Sequence, residues 1–149
     1  MKAIELFAGA GGLGIGVCRA GFMPIDLVER DRWCCDTLRE NRRRGAPALK
    51  HWPEPREGDV RGFSFTQFES RVDLVTGHPP CQPFSLGGRH RAHEDQRDMW
   101  SEAVRVVRET RPQAFIFENV KGLTRETFST YFSYHLPAAV LSGDPAPRR

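Results

Sequence analysis

A cysteine framed by prolines stands out in this chain. Gly77-His78-Pro79-Pro80-Cys81-Gln82-Pro83-Phe84-Ser85 follows at once on the apolar run Val72-Asp73-Leu74-Val75-Thr76. Prolines fix φ and bar a helix, so this backbone is stiff before any tertiary contact forms. Outside the carboxyl ends of parallel strands is where open α/β sheets place their chemistry. Cys81 therefore reads as a positioned nucleophile: a free thiol of pKa ~8.5 is little ionised at neutral pH but strongly nucleophilic. Glu118 follows a second apolar run, Gln113-Ala114-Phe115-Ile116-Phe117, and emerges at the same edge.

A glycine-rich stretch, Gly9-Ala10-Gly11-Gly12-Leu13-Gly14-Ile15-Gly16, follows the short strand Ala3 to Phe7. Between a strand and a helix, glycines let backbone amides approach a ligand closely. Gly9-x-Gly11-x-x-Gly14 satisfies the dinucleotide fingerprint, and Glu29 lies where a ribose-binding acid is expected. That carboxylate can accept both ribose hydroxyls of NAD or of S-adenosylmethionine alike. Asp59, at the end of a third element, offers an acceptor suited to an adenine amino group. A thiol and a carboxyl facing a bound nucleotide cofactor constitute a reacting site.

These residues need a scaffold, and strand and helix alternate along the chain. Leu13 to Ala20 has helical spacing, Ile25 to Val28 reads as a strand ending in Glu29, and Asp31 caps a helix through about Arg43. Residues 45–62 form a weakly patterned connection, followed by a helical turn at Phe63 to Phe68 and the strand Val72 to Thr76. Gly77 to Gln96 is a long loop of the kind that carries function. Asp98 to Arg108 is a helix with Met99, Ala103, Val106 and Val107 on one side. The alternation predicts a doubly wound, mostly parallel α/β sheet of Rossmann-like type, stopping after its fifth strand. Residues 1–136 form the domain, and 137–149 have the composition of an end without fixed structure. Trp33, Trp52 and Trp100 are expected in the core, and Cys34 and Cys35 as ordinary packing residues.

The net charge of +3 is mild, but Arg42-Arg43-Arg44 is one basic run, and Arg89, Arg91 and Arg97 follow the thiol segment. Such clusters fit a polyanion, or, for Arg42 to Arg44, a solvated helix end. Cys18, Cys34, Cys35 and Cys81 show neither a Cys-x-x-Cys pair nor the spacing of a secreted disulfide framework, which indicates a reducing compartment. No signal peptide precedes Ile4, and no apolar run approaches the ~20 residues needed to span a bilayer. His78-x-x-Cys81 and His90-x-x-His93 have ligand spacing, but Arg89 and Arg91 oppose a dication and Pro79-Pro80 stiffens the first pair. No metal is expected.

Three motifs in order complete the picture. Phe7-x-Gly9-x-Gly11-Gly12, Pro79-Pro80-Cys81-Gln82-Pro83-Phe84-Ser85 and Glu118-Asn119-Val120 together resemble the DNA (cytosine-5) methyltransferases over Met1 to about Leu123. The resemblance implies methyl transfer from S-adenosylmethionine to carbon 5 of cytosine through a covalent Cys81 adduct, with Glu118 at ring nitrogen 3. It implies a cofactor pocket of Phe7, Ala8, Gly9, Gly11, Gly12, Glu29, Arg30, Asp59, Val60 and Pro79. Arg30 stands where some relatives carry an aromatic that stacks on adenine. It further implies double-stranded DNA with a flipped cytosine, met by Pro80, Gln82, Ser85, Arg89, Arg91 and Arg97, with Asn119 on the same side ordering the loop after the fifth strand. The compartment would be the cytoplasm, at the bacterial nucleoid, or another space holding DNA. The family's basic Gln-x-Arg-x-Arg segment and target-recognition region are not found after Leu123, so the expected form is truncated or split, with a second polypeptide as partner. Two alternatives stand beside it: a non-catalytic remnant that binds cofactor or a partner, and a nucleotide-dependent oxidoreductase.

Overall fold

Strands buried on both faces explain the architecture. In β1 (Lys2–Leu6), Ile4 and Leu6 join Val28, Val75 and Phe65 on one side, while Ala3 joins Val17 and Leu74 on the other. All four residues of β4 (Leu74–Gly77) are buried. Such two-faced burial is the mark of a parallel sheet covered by helices above and below. The computed structural model describes residues 1–80 and 99–119. They form β1, α1 (Gly12–Arg19), β2 (Met23–Glu29), α2 (Arg32–Arg43), β3 (Arg56–Glu57), two 3-10 turns, β4, α3 (Trp100–Thr110) and β5 (Ala114–Phe117).

The five strands are parallel in the order β3-β2-β1-β4-β5. The chain winds outward from β1 to β3, then crosses back to β4, so the winding direction reverses between β1 and β4. Ligands of open α/β sheets sit outside such a switch point. The carboxyl ends are in register there: Leu6 pairs with Val28 and with Gly77, and Gly77 pairs with Phe117. Gly77 has a steric reason to be glycine, because a Cβ would lie 2.7 Å from the Leu6 carbonyl oxygen.

Helix α2 forms as its sequence dictates. The Asp31 carboxylate accepts the Cys34 N–H at 3.0 Å, and Cys35 and Leu38 face the core. Its basic end is tied within the fold: Arg42 pairs with Glu54, and Arg43 and Arg44 share Glu40. The structure thus favours the helix-end reading of the Arg42 to Arg44 run over a polyanion site.

Boundaries shift where pairing overrides pattern. β2 begins at Met23, whose N–H donates to the Met1 carbonyl. β4 runs Leu74–Gly77 rather than Val72 to Thr76, because β1 pairs Ala3 with Leu74 and Leu6 with Gly77. Helix α3 starts at Trp100, and Arg111 closes it in a left-handed conformation. The expected apolar side of α3 is buried, with Met99, Ala103, Val106 and Val107 at most 6% exposed. Trp52 and Trp100 are core residues, but Trp33 is 77% exposed, which corrects the expectation that all three tryptophans pack inside. The long loop beyond Pro80 and the tail at 137–149 lie outside the described residues. No helix among the described residues is long and apolar enough to cross a membrane.

Candidate active site

The residues just past the strand ends form a row along the carboxyl edge: Phe7 after β1, Arg30 after β2, Gly58 and Asp59 after β3, His78 after β4 and Glu118 after β5. Beside this row lies a cavity of about 710 Å³, lined among others by Phe7, Glu29, Arg30, Asp59, Val60 and Pro80. That volume suits a small-molecule cofactor. Six of the residues expected from sequence thus meet at one cavity.

The turn out of β1 is shaped by conformation and by Glu29. Phe7 adopts φ 53, a left-handed conformation rare for a bulky residue and typical of constrained sites. The Ala8 N–H donates to the Val28 carbonyl at 3.1 Å. Glu29 then ties two elements together: its Oε2 accepts the Gly9 N–H and its Oε1 the Asp31 N–H, both at 2.7 Å. Each oxygen keeps further lone-pair capacity for a hydroxyl.

Beneath the turn lies Glu5, 1% exposed, whose Oε1 accepts the Gly14 N–H at 2.9 Å. Its Oε2 has no hydrogen-bond partner. Gly14 must be glycine here, since a Cβ would come within 1.9 Å of that Oε2. Burial pushes the Glu5 carboxyl from 4.5 up to about 7, against the smaller lowering effect of the Gly14 amide. Ala8, buried with Leu27, Leu38 and Trp52, and the buried Pro79 are not among the residues that line the cavity. Gly11 and Gly12 serve as N-cap and first residue of α1.

Asp59 carries more ties than its sequence context reveals. It caps the 3-10 turn Val60–Gly62, and its carboxylate takes a two-pronged contact from the Arg61 guanidinium at 3.0 and 2.6 Å. Arg30 approaches the same carboxylate to 4.0 Å. The Arg61 hydrogen bonds hold the Asp59 carboxyl down at about 2.

At the opposite end, the Glu118 N–H donates to the Gly77 carbonyl at 3.0 Å, and the Asn119 amide donates to the Pro79 carbonyl at 3.1 Å. These bonds join the loops after β4 and β5. They also bring His78 Nε2 to 3.6 Å from Glu118 Oε2. Cys81, Gln82, Ser85, Arg89, Arg91 and Arg97 lie outside the described residues, although the residue before Cys81, Pro80, lines the cavity. Burial pushes the Cys35 thiol up to about 11, in keeping with a packing role.

Three further residues meet the cavity without having been assigned to it from sequence. His78 and Trp33 line the cavity, as does Met99 from the start of α3. For Trp33 a signal existed: it sits out of phase with Cys35 and Leu38 on α2, which directs it away from the core.

Residues 1–136 match the model of the C-5 cytosine-specific DNA methylase family. The chain is 44% identical to the type II methyltransferase M.PspPI of Psychrobacter sp. over 121 residues, covering 80% of this chain and 27% of that protein. It is 40% identical to the type II methyltransferase M.NgoMIV of Neisseria gonorrhoeae over 129 residues, 87% of this chain and 38% of the relative. The fold superposes with TM-score 0.69 and 27% identity on a prophage-encoded DNA modification methyltransferase from E. coli, over 93% of this chain and 37% of the other. The chain therefore spans well under half the length of these relatives. A matched family model over most of its length and a parallel sheet with the same fold place it plainly: the chain belongs to the C-5 cytosine-specific DNA methylase family.

Proposed function

We propose that this chain is the cofactor-binding and nucleophile-bearing part of a DNA (cytosine-5)-methyltransferase that uses S-adenosylmethionine. One observation carries the reading: a single cavity is lined both by Glu29 and by Pro80, the residue preceding Cys81. The donor set fits the cofactor. Glu29 holds the glycine turn and can accept ribose hydroxyls, Asp59 and Val60 wall the base end, and Phe7 supplies an apolar surface. When bound, S-adenosylmethionine supplies an electrophilic methyl group.

The chain's own residues do the rest. Carbon 5 of cytosine is a poor nucleophile. In this reading the Cys81 thiolate adds to carbon 6, forming a C–S bond and moving the ring electron pair toward carbon 5. Glu118 hydrogen-bonds ring nitrogen 3 and stabilises the charge that builds there. Carbon 5 takes the methyl group as that group's bond to the sulfonium sulfur breaks, leaving a neutral thioether. The carbon 5 proton then passes to water, and its electron pair restores the ring double bond as the C–S bond at carbon 6 breaks and releases Cys81 as thiolate. A cytosine inside a duplex is out of reach, so the base is flipped out, at a few kcal/mol for unstacking. Ser85, Arg89, Arg91 and Arg97 are assigned to phosphates and Gln82 to the loop facing the base.

The test is a covalent trap. Duplex DNA bearing 5-fluorocytosine and S-adenosylmethionine are incubated with the chain, alone and together with a fragment covering the rest of a relative's length. A denaturation-stable adduct is expected, absent in Cys81→Ala and strongly reduced in Glu118→Gln. If no adduct forms in either arm while S-adenosylmethionine still binds, the protein is a cofactor-binding module without transferase activity.

A further inference from the structure

We propose that Trp33 is a further cofactor-binding residue, its indole forming the aromatic face on which the adenine of the cofactor stacks. The inference rests on the cavity being the S-adenosylmethionine site. Its starting point is an anomaly of placement. Tryptophan is buried on average in folded proteins, yet Trp33 is 77% exposed, while Trp52 and Trp100 are 2% and 7% exposed. It stands in the first turn of α2, and Trp33 lines the cavity together with Glu29, Arg30 and Asp59.

The position is fixed from below. Asp31 caps α2 through the Cys34 N–H, and Glu29 holds the Asp31 N–H, so the backbone carrying Trp33 is tied to the proposed ribose anchor two residues before the cap. The Trp33 carbonyl also accepts the Thr37 hydroxyl at 2.8 Å. Glu29 and Trp33 line one cavity, so a purine whose ribose is held at Glu29 shares that cavity with the indole. Bases stack on aromatic faces whatever their hydrogen-bond pattern, because every base has a π-face. Arg30 is the obvious competitor, since guanidinium planes stack as well. Its charged end, however, is drawn toward the Asp59 carboxylate at 4.0 Å. Asp59 in turn is held by the Arg61 fork. Beside Phe7, which also lines the cavity, the flat apolar surface that α2 contributes is then the indole.

Fluorescence titration of the full-length chain with S-adenosylhomocysteine tests this directly, because the other two tryptophans are buried. Binding should quench the emission of the wild type, and Trp33→Phe should abolish the quench with affinity kept within about three-fold, since phenylalanine retains a face for stacking. Calorimetry on Trp33→Ala should show affinity about ten-fold weaker, the scale of removing one base–aromatic stack. Adenosine should lose a similar factor and homocysteine none. Because Trp33 is exposed, circular dichroism should be unchanged in both variants. If Glu29→Ala loses the ligand but Trp33→Ala binds like wild type, the inference is wrong and the cavity assignment survives. If the wild type binds neither S-adenosylmethionine nor S-adenosylhomocysteine, the cavity assignment fails and takes the inference with it. A quench caused by duplex DNA and not by the cofactor product would make Trp33 a nucleic-acid contact instead.

Discussion

Glu5 is a carboxyl with one oxygen employed and one orphaned, sealed beneath the turn that the cofactor is proposed to touch. Its pKa of about 7, against 4.5 when exposed, means that the folded state binds a proton the unfolded state releases. Stability from this group is therefore complete below about pH 4.5 and declines as pH rises through 7. The difference of about 2.5 units corresponds to roughly 3 kcal/mol. Denaturant unfolding of wild type at pH 5 and pH 8 should show that loss, and Glu5→Gln should flatten it, since glutamine can still accept the Gly14 N–H. An unchanged pH slope in Glu5→Gln would show that Glu5 is not the titrating group. Little of this is legible from residue types alone: Glu5 reads as one polar residue in an apolar strand, and only the close approach of Gly14 reveals why it is there. The motif residues Glu29, Asp59 and Glu118 were legible, whereas the ties that Arg61 and His78 make to two of them depend on strands meeting side by side.

Strand β3 shows where the pattern runs out among the elements. Arg56–Glu57 has no apolar alternation, and the sequence of residues 45–62 gives no periodic signal. The strand exists because Arg56 reaches the buried Asp26 carboxylate on β2 with both guanidinium prongs. The same guanidinium lies 4.6 and 4.8 Å from the ring centres of Phe63 and Phe65. Burial raises the Asp26 pKa even though the Arg56 hydrogen bonds and charge lower it. Arg56→Met keeps volume but strands Asp26, and should destabilise the fold by about 3–5 kcal/mol in urea melts. Adding Asp26→Asn should recover a substantial part of that loss. Additivity of the two substitutions would show that the pair is not coupled. By contrast α1, α2, β1 and β5 could be placed from sequence within a few residues, because capping and apolar spacing are local signals. A two-residue strand held by a distant ion pair is not.

For the molecule as a whole, ligand binding and folding are linked. If the cavity takes S-adenosylmethionine, a hundred-fold excess over Kd adds about 2.7 kcal/mol of stability. For a chain of this length that raises Tm by about 5–10 °C. NAD at the same concentration should leave Tm unchanged, and an equal rise with NAD would favour the oxidoreductase reading. Among the described residues β5 pairs only with β4, and Ile116 is 50% exposed on it. The doubly wound class followed from the alternation of elements, while the strand order and its switch point became visible only in the assembled sheet. The in-register strand ends have one more consequence. Neighbouring parallel strands lie about 4.8 Å apart, so Glu29 on β2 and Glu118 after β5 stand three spacings, or about 14 Å, from one another. The sheet edge is thus a ruler. A compact nucleotide anchored at Glu29 falls short of Glu118, and only an elongated ligand meeting a second molecule partway along can connect the two acids.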